Sequence, residues 1–284
     1  MPVATRRAVR AMAERQAADI DRVTARAGVL SSRIWRIVID AARANKVHHE
    51  TVIRIRPFDE ELIENAKDEL LDIMAFAYLL RRRLAKRRRT QARGIFLASP
   101  VHTVAQDIAD KFEIDLGNIK KKLEPLATTA IKDSVGRLRE VMNDALEEST
   151  RSGLPTGEAT EEVIEALRDY GVSPRSNYYV ENLVRTHAAI AYGAAHRQSF
   201  AGDVDLWGWE YVTVGDDRVR EAHERLDGIK RKVGDPFWEK FWPPNGWGCR
   251  CQAVAIYDED ERQDRVPDDV EPDEGFDFDP GDLI

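Results

Sequence analysis

Cysteine is almost missing from this sequence: Cys249 and Cys251 are the only two among 284 residues. Two thiols cannot build a disulfide framework, so a reducing compartment is expected. The chain is long enough to bury a sizeable core without staples, and about 150 residues per domain suggests two domains. Long apolar runs are lacking too. The longest, Leu70 to Leu80, spans eleven residues and includes Asp72, whereas a membrane helix needs about 20. The opening stretch MPVATRRAVRAMAERQ carries charges where a signal peptide would have its apolar segment. Neither a membrane-bound nor a secreted protein is expected, and no internal repeat is visible.

Charge, by contrast, is plentiful. Charged residues make up 33% of the chain, and the net charge of −8 conceals a polarity. Residues 1–95 hold 21 Lys+Arg against 12 Asp+Glu, while the last 27 residues hold 13 acids against Arg262 and Arg265. A chain basic at one end and acidic at the other is suited to charged partners. Solvated helix faces and a solubilising tail would produce the same count.

The first 150 residues read as helix almost throughout. Leu62, Ile63, Ala66, Leu70, Ile73, Met74 and Ala77 recur at steps of three and four, behind Pro57 as a stop and Asp59 as N-cap. Leu30, Ile34, Ile37, Val38 and Ala41 form a second stripe. Ala8 to Ala27 is rich in Ala, Arg and Glu with few large apolar residues, so it is expected to rest on another protein or another copy. From Asp115 to Thr150 the pattern resumes, and Pro125 should kink or split it. A connector, Ser152 to Gly157, precedes helices over Glu158–Tyr170, stopped by Gly171, and Asn177–Phe200. Leu206–Val214 and Ala253–Tyr257 are aromatic and β-branched enough to be strands. From Asp258 onward the density of acid predicts a flexible tail.

Three segments could carry chemistry. Arg81, Arg82, Arg83, Lys86, Arg87, Arg88 and Arg89 place seven cations in nine positions. They suit either a solvated helix end or an anionic partner bound without sequence readout. In the second segment, Gly215 to Gly228, Asp217, Arg220 and His223 are at helical spacing and can share a face. That face could bind phosphate or do acid–base work, or be a helix start with an ion pair and a hydrogen-bonded histidine. The third runs from Asp235-Pro236-Phe237-Trp238 through Pro243-Pro244-Asn245-Gly246-Trp247-Gly248 to Cys249-Arg250-Cys251. Its prolines, glycines and tryptophans predict a rigid loop rather than a regular element. In extended chain the two cysteines point to one face and Arg250 to the other. They can pack as small apolar residues, hold two corners of a zinc tetrahedron with His223 as third ligand, or form a redox pair.

Together, DDRVREAHERLDG at Asp216–Gly228, then DPFW, PPNGW and CRC, resemble the C-terminal domain of phage Mu F-like minor head proteins, also called phage head morphogenesis proteins. The helix containing Val184-Arg185-Thr186-His187 and Tyr192-Gly193 resembles the one that precedes this motif in the family, with His187 standing where an acid often follows Arg-Thr. The resemblance covers roughly residues 155–257. It marks Asp217, Arg218, Arg220, Gly228, Pro244, Gly246 and Arg250 as the structural motif.

It also implies a head component without catalytic activity, working with the phage portal protein, with major capsid and scaffold proteins and with packaged double-stranded DNA. Such a protein would be in the virion, at the portal vertex and head interior, and in the host cytoplasm during assembly. The expected architecture is mainly α with a small α+β C-terminal domain: a helical, portal-docking arm over 1–150, the head-morphogenesis domain over 151–257, and an acidic tail over 258–284. No glycine-rich phosphate loop occurs, which argues against a packaging ATPase. The rival reading is a metal-dependent nuclease built on His223 and nearby carboxylates, or a zinc-stabilised DNA-binding protein. Cysteine ligands are poor companions for catalytic Mg²⁺.

Overall fold

The computed structural model of the chain describes residues 6–44, 58–86, 101–152, 154, 156–172, 178–257 and 266–283. It is mainly helical with one small antiparallel sheet. Helices α1 (Arg6–Thr24), α2 (Gly28–Ala44), α3 (Glu60–Lys86), α4 (Val101–Phe112), α5 (Leu116–Arg151), α6 (Thr156–Asp169) and α7 (Tyr178–Ser199) come first. Then follow β1 (Gly208–Val212), α8 (Glu221–Glu224), β2 (Lys230–Lys232), α9 (Phe237–Phe241), β3 (Gln252–Ile256) and a 3-10 turn, Pro280–Leu283.

The helix starts and stripes follow local chemistry. Asp59 Oδ1 accepts the backbone N–H groups of Glu61 and Leu62, at 2.9 and 3.2 Å, and so caps α3. Gly171 closes α6 with φ +90°, a left-handed conformation that glycine adopts without strain. Pro125 does not split α5, which runs unbroken through it. Leu123, Ala127 and Ile131 are all buried on the turns around the proline.

The chain forms two compact units, and neither is a continuous stretch of sequence. One comprises Met1–Thr24, Ile73–Leu123 and Arg185–Ile284; the other comprises Ala25–Asp72 and Glu124–Val184. Among its described residues the second unit contains helices and no strand. It buries Leu30, Ile34 and Val38 of α2, Leu70 of α3, Leu138 and Met142 of α5, and Val163 and Leu167 of α6. Lys67 sits in it between Glu64 and Glu124, at 2.5 and 3.5 Å.

The first unit contains the sheet, in the order β2-β1-β3 with both pairings antiparallel. Trp209 lies opposite Arg231 on one side and Ala255 on the other. All five residues of β1 are buried, because both faces of the strand are covered. Trp209 and Tyr211 enter a cluster with Leu226, Ile229, Phe237, Trp238, Phe241, Trp242 and both cysteines. Val212 of β1 and Val254 of β3 instead pack with Val9 and Ala13 of α1. Gly208 is needed where β1 meets β2, since a Cβ there would lie 2.1 Å from the Arg231 carbonyl oxygen.

Three expectations are corrected here. Helix α1 does not await an outside surface. Its small apolar residues lie against the sheet, while Ile20 packs with Ala189 and Tyr192 of α7. Small side chains suffice because they allow a helix to approach closely. The segment after Asp235 does contain a regular element, the short helix α9, with Phe237, Trp238 and Phe241 buried. The acidic tail, over its described residues 266–283, is packed rather than loose. Val270 and Phe276 are buried, and Arg225 binds Asp269 while Arg197 Nε donates to Asp279 at 2.9 Å. The tail's acids thus meet cations of the first unit, a complementarity that composition alone does not reveal.

Candidate functional site

Three pieces of chain converge beside β1. The turn after β1 leads to α8, which carries His223 at 4% exposure. Gly228, at φ +94°, ends that turn and donates its N–H to the Tyr211 carbonyl at 2.7 Å, sending the chain back as β2. The Pro-Pro-Asn-Gly-Trp-Gly loop then brings Cys249 and Cys251 in beside β3, each 5% exposed. A turn bond from Cys249 N–H to Gly246 O, 3.2 Å, sets this approach.

The structure brings His223, Cys249 and Cys251 together. His223 Nδ1 lies 3.6 Å from Cys249 Sγ and 3.5 Å from Cys251 Sγ, and the three ligand atoms are all within 4.8 Å of one another. Tyr211 sits against the sulfurs, and its hydroxyl donates to Asn245 Oδ1 at 2.9 Å. The Asn245 amide nitrogen donates in turn to the Trp242 carbonyl at 3.3 Å, so this fully buried side chain ties the loop to β1. The Cys251 thiol, reinforced by His223, holds the Cys249 thiol well below the ordinary range despite burial. Cys251 is pushed well above that range by Cys249 and by burial. Burial likewise pushes the Tyr211 phenol well up, and the neighbouring sulfurs add to this.

The loop is moored to α7. Gly248 N–H donates to Thr186 Oγ1 at 3.0 Å, and the His187 and Trp247 rings lie 5.9 Å apart. Gly193 permits the approach: a Cβ there would stand 3.2 Å from Trp242 Nε1 and 3.3 Å from the Pro243 carbonyl oxygen. Pro244 is buried, and a Cβ on Gly246 would lie 2.1 Å from Asp273 Oδ2, so a side chain there would have to push the Asp273 carboxylate aside. Arg220 donates to the Trp247 carbonyl and lies 3.8 Å from Asp273. It therefore braces the loop.

The expected Asp217–Arg220–His223 face does not form. Asp217 is exposed in the turn before α8, while His223 is buried. The acid that works here is Asp216, whose two carboxylate oxygens each accept from Arg250, at 2.6 Å. Asp216 also accepts the backbone N–H of Arg218 at 3.1 Å. Sequence reasoning missed Asp216, Tyr211, Asn245 and Thr186. The alternation that points Arg250 away from the cysteines could have indicated Asp216; the others are visible only in three dimensions.

The basic segment is divided. Arg81 is 8% exposed, and its Nε donates to His196 Nδ1 at 2.9 Å, so it is withdrawn from any anionic partner. Arg82 is half-buried, Arg83 and Lys86 belong to the last turns of α3, and Arg87, Arg88 and Arg89 lie outside the described residues. Among the described residues, no helix is long and apolar enough to cross a membrane.

Residues 144–254 match the family described as Phage Mu protein F like protein. The chain is 39% identical over 85 residues to the Mu-like prophage FluMu F protein of Haemophilus influenzae, covering 30% of this chain and 20% of that protein. Against the "Putative capsid assembly protein F" of Escherichia phage Mu the identity is 38% over 85 residues, covering 30% of this chain and 19% of that protein. The chain thus spans about a fifth of the length of the curated relatives it matches. No solved structure matches it.

Proposed function

We propose that this chain is a minor head protein of a tailed phage or prophage, acting in head assembly as a structural component and not as an enzyme. The observation that carries this reading is the match of residues 144–254, which takes in β1, the α8 turn, the aromatic loop and both cysteines. One of the relatives is named "Putative capsid assembly protein F". The proposed partners are the portal protein and the major capsid and scaffold proteins, with packaged double-stranded DNA contacted through Arg82, Arg83, Lys86, Arg87, Arg88 and Arg89. The proposed places are the head interior and portal vertex of the virion, and the host cytoplasm during assembly.

The chemistry of the site supports a structural role. His223 faces two sulfurs, and two of the neighbouring carboxylates are engaged: Asp216 with Arg250, and Asp227 with the Thr213 N–H at 2.8 Å and with Arg10. A hydrolytic nuclease would need carboxylates free to hold a hard cation and orient water. The test is affinity capture of the full chain from phage-producing cells, with mass spectrometry of the captured proteins and of purified particles. Enrichment of portal, capsid or scaffold protein, with the chain present in heads, is the expected result. Absence from both heads and head intermediates sinks the reading.

A further inference from the structure

We propose that His223, Cys249 and Cys251 form a zinc site that clasps the α8 turn to the loop entering β3. Bonds of about 2.3 Å to sulfur and 2.0–2.1 Å to nitrogen, opened to a tetrahedral angle, place sulfur and nitrogen about 3.5–3.6 Å apart. The two sulfur–Nδ1 distances here are 3.6 and 3.5 Å. Both sulfur–nitrogen edges of the triangle have the length a shared zinc requires.

Hydrogen bonding alone accounts for this arrangement less well. An imidazole nitrogen has one in-plane direction, whether it carries a lone pair or a proton, and a good hydrogen bond must lie close to that direction. Two sulfurs converge on the same nitrogen at nearly equal distance, so neither can be well aligned without displacing the other. A cation at the common centre satisfies all three atoms at once. The donors also select the metal: two thiolates and an imidazole are too soft for Mg²⁺ or Ca²⁺ and suit zinc.

The surroundings are built as support. Asn245 and Tyr211 lie against the two cysteines, and the Tyr211 hydroxyl holds Asn245. Such outer partners orient ligands and stabilise thiolate charge. Among the described residues no other His, Cys or carboxylate joins the three. The site cross-links positions 26 and 28 residues apart, on either side of β2, α9 and the aromatic loop.

The test uses the full chain purified without chelator, incubated with excess zinc and dialysed exhaustively. Elemental analysis should return about one zinc per chain, and cobalt exchange should give tetrahedral bands with a thiolate charge-transfer absorption. Cys251→Ser should abolish retention. If that variant does not fold, the cobalt spectrum of the unmodified chain still decides. A dialysed chain without zinc, or a cobalt complex lacking the thiolate band, overturns the proposal.

Discussion

Arg250 stands between the two cysteines in sequence, yet its guanidinium closes on Asp216 with both terminal nitrogens 2.6 Å from a carboxylate oxygen. The alternation that turns Cys249 and Cys251 inward turns Arg250 outward, onto the turn that leads to His223. One extended tripeptide thus grips the same turn from both sides.

Acid should loosen that grip. Chiefly through Arg250, the carboxyl of Asp216 is held below its ordinary value of 3.8. A depressed carboxylate contributes stability that is complete above the unfolded value and disappears as pH falls through the folded one. The pair should therefore act fully above pH 3.8 and fade below it. Asp216→Asn is expected to lower the urea midpoint modestly at pH 7, as befits an exposed pair, and to make the decline below pH 3.8 shallower. Midpoints measured across the acid range check both parts.

Removing the tail should harm the first unit. Phe276 is 5% exposed, with its ring 5.8 Å from that of Trp247. Phe276→Ala should cost about 3–5 kcal/mol, the usual penalty for emptying a buried aromatic site. Truncation after Tyr257 should cost at least as much, whereas Asp277→Ala, on an exposed residue, should stay within about 0.5 kcal/mol. Chemical denaturation of the three variants checks the ranking.

The arginines of the basic segment should separate into two kinds. Arg81→Gln removes a buried donor from His196 and a cation 5.7 Å from the Tyr192 ring, so a loss of stability is expected. Its size should be about 1–3 kcal/mol. Replacing Arg82, Arg83, Arg87, Arg88 and Arg89 by Gln should leave the melting temperature nearly unchanged, but weaken binding to DNA or portal and flatten its salt dependence. Melting curves and binding titrations at several salt concentrations report the two effects independently.

Alkali should also destabilise the first unit. Burial pushes the Tyr192 phenol up to about 12, against the opposing pull of Arg81 and Arg22. An acid with a raised folded value contributes stability that is whole below the unfolded value, here 10.0, and is lost as pH rises toward 12. At about 1.4 kcal/mol per unit, the loss approaches 3 kcal/mol. Tyr192→Phe should remove that part of the alkaline decline. Unfolding midpoints between neutral pH and alkali, with tyrosinate absorbance as titration marker, check it.

Much of this was legible in one dimension, for identifiable reasons. The stripes of α2, α3 and α5 repeat at the helical period and do face buried cores; Asp59 caps the helix it precedes. Trp209 and Tyr211 announced a strand through their β-forming side chains, and the Cys-x-Cys spacing put two sulfurs on one face. Strand β2 escaped because Lys230-Arg231-Lys232 has no apolar member and is a strand only through its pairing with β1. Helix α1 was misread because Val9 and Ala13 are too small to signal burial, although Val212 and Val254 cover them. The tail was misread because its acids were counted without the arginines that meet them.

The pairing of α1 with the sheet has a consequence for biosynthesis. Val9 and Val254 share one apolar cluster, so the earliest helix cannot be covered until β3 has been translated. At roughly 5–20 residues per second, that interval is about 12–50 s. Throughout it the Val9 and Ala13 stripe of the nascent chain has no sheet to lie on, and a chain truncated before β3 would leave that stripe without its strand. Timing of translation, as well as sequence, therefore bears on how cleanly this protein is made.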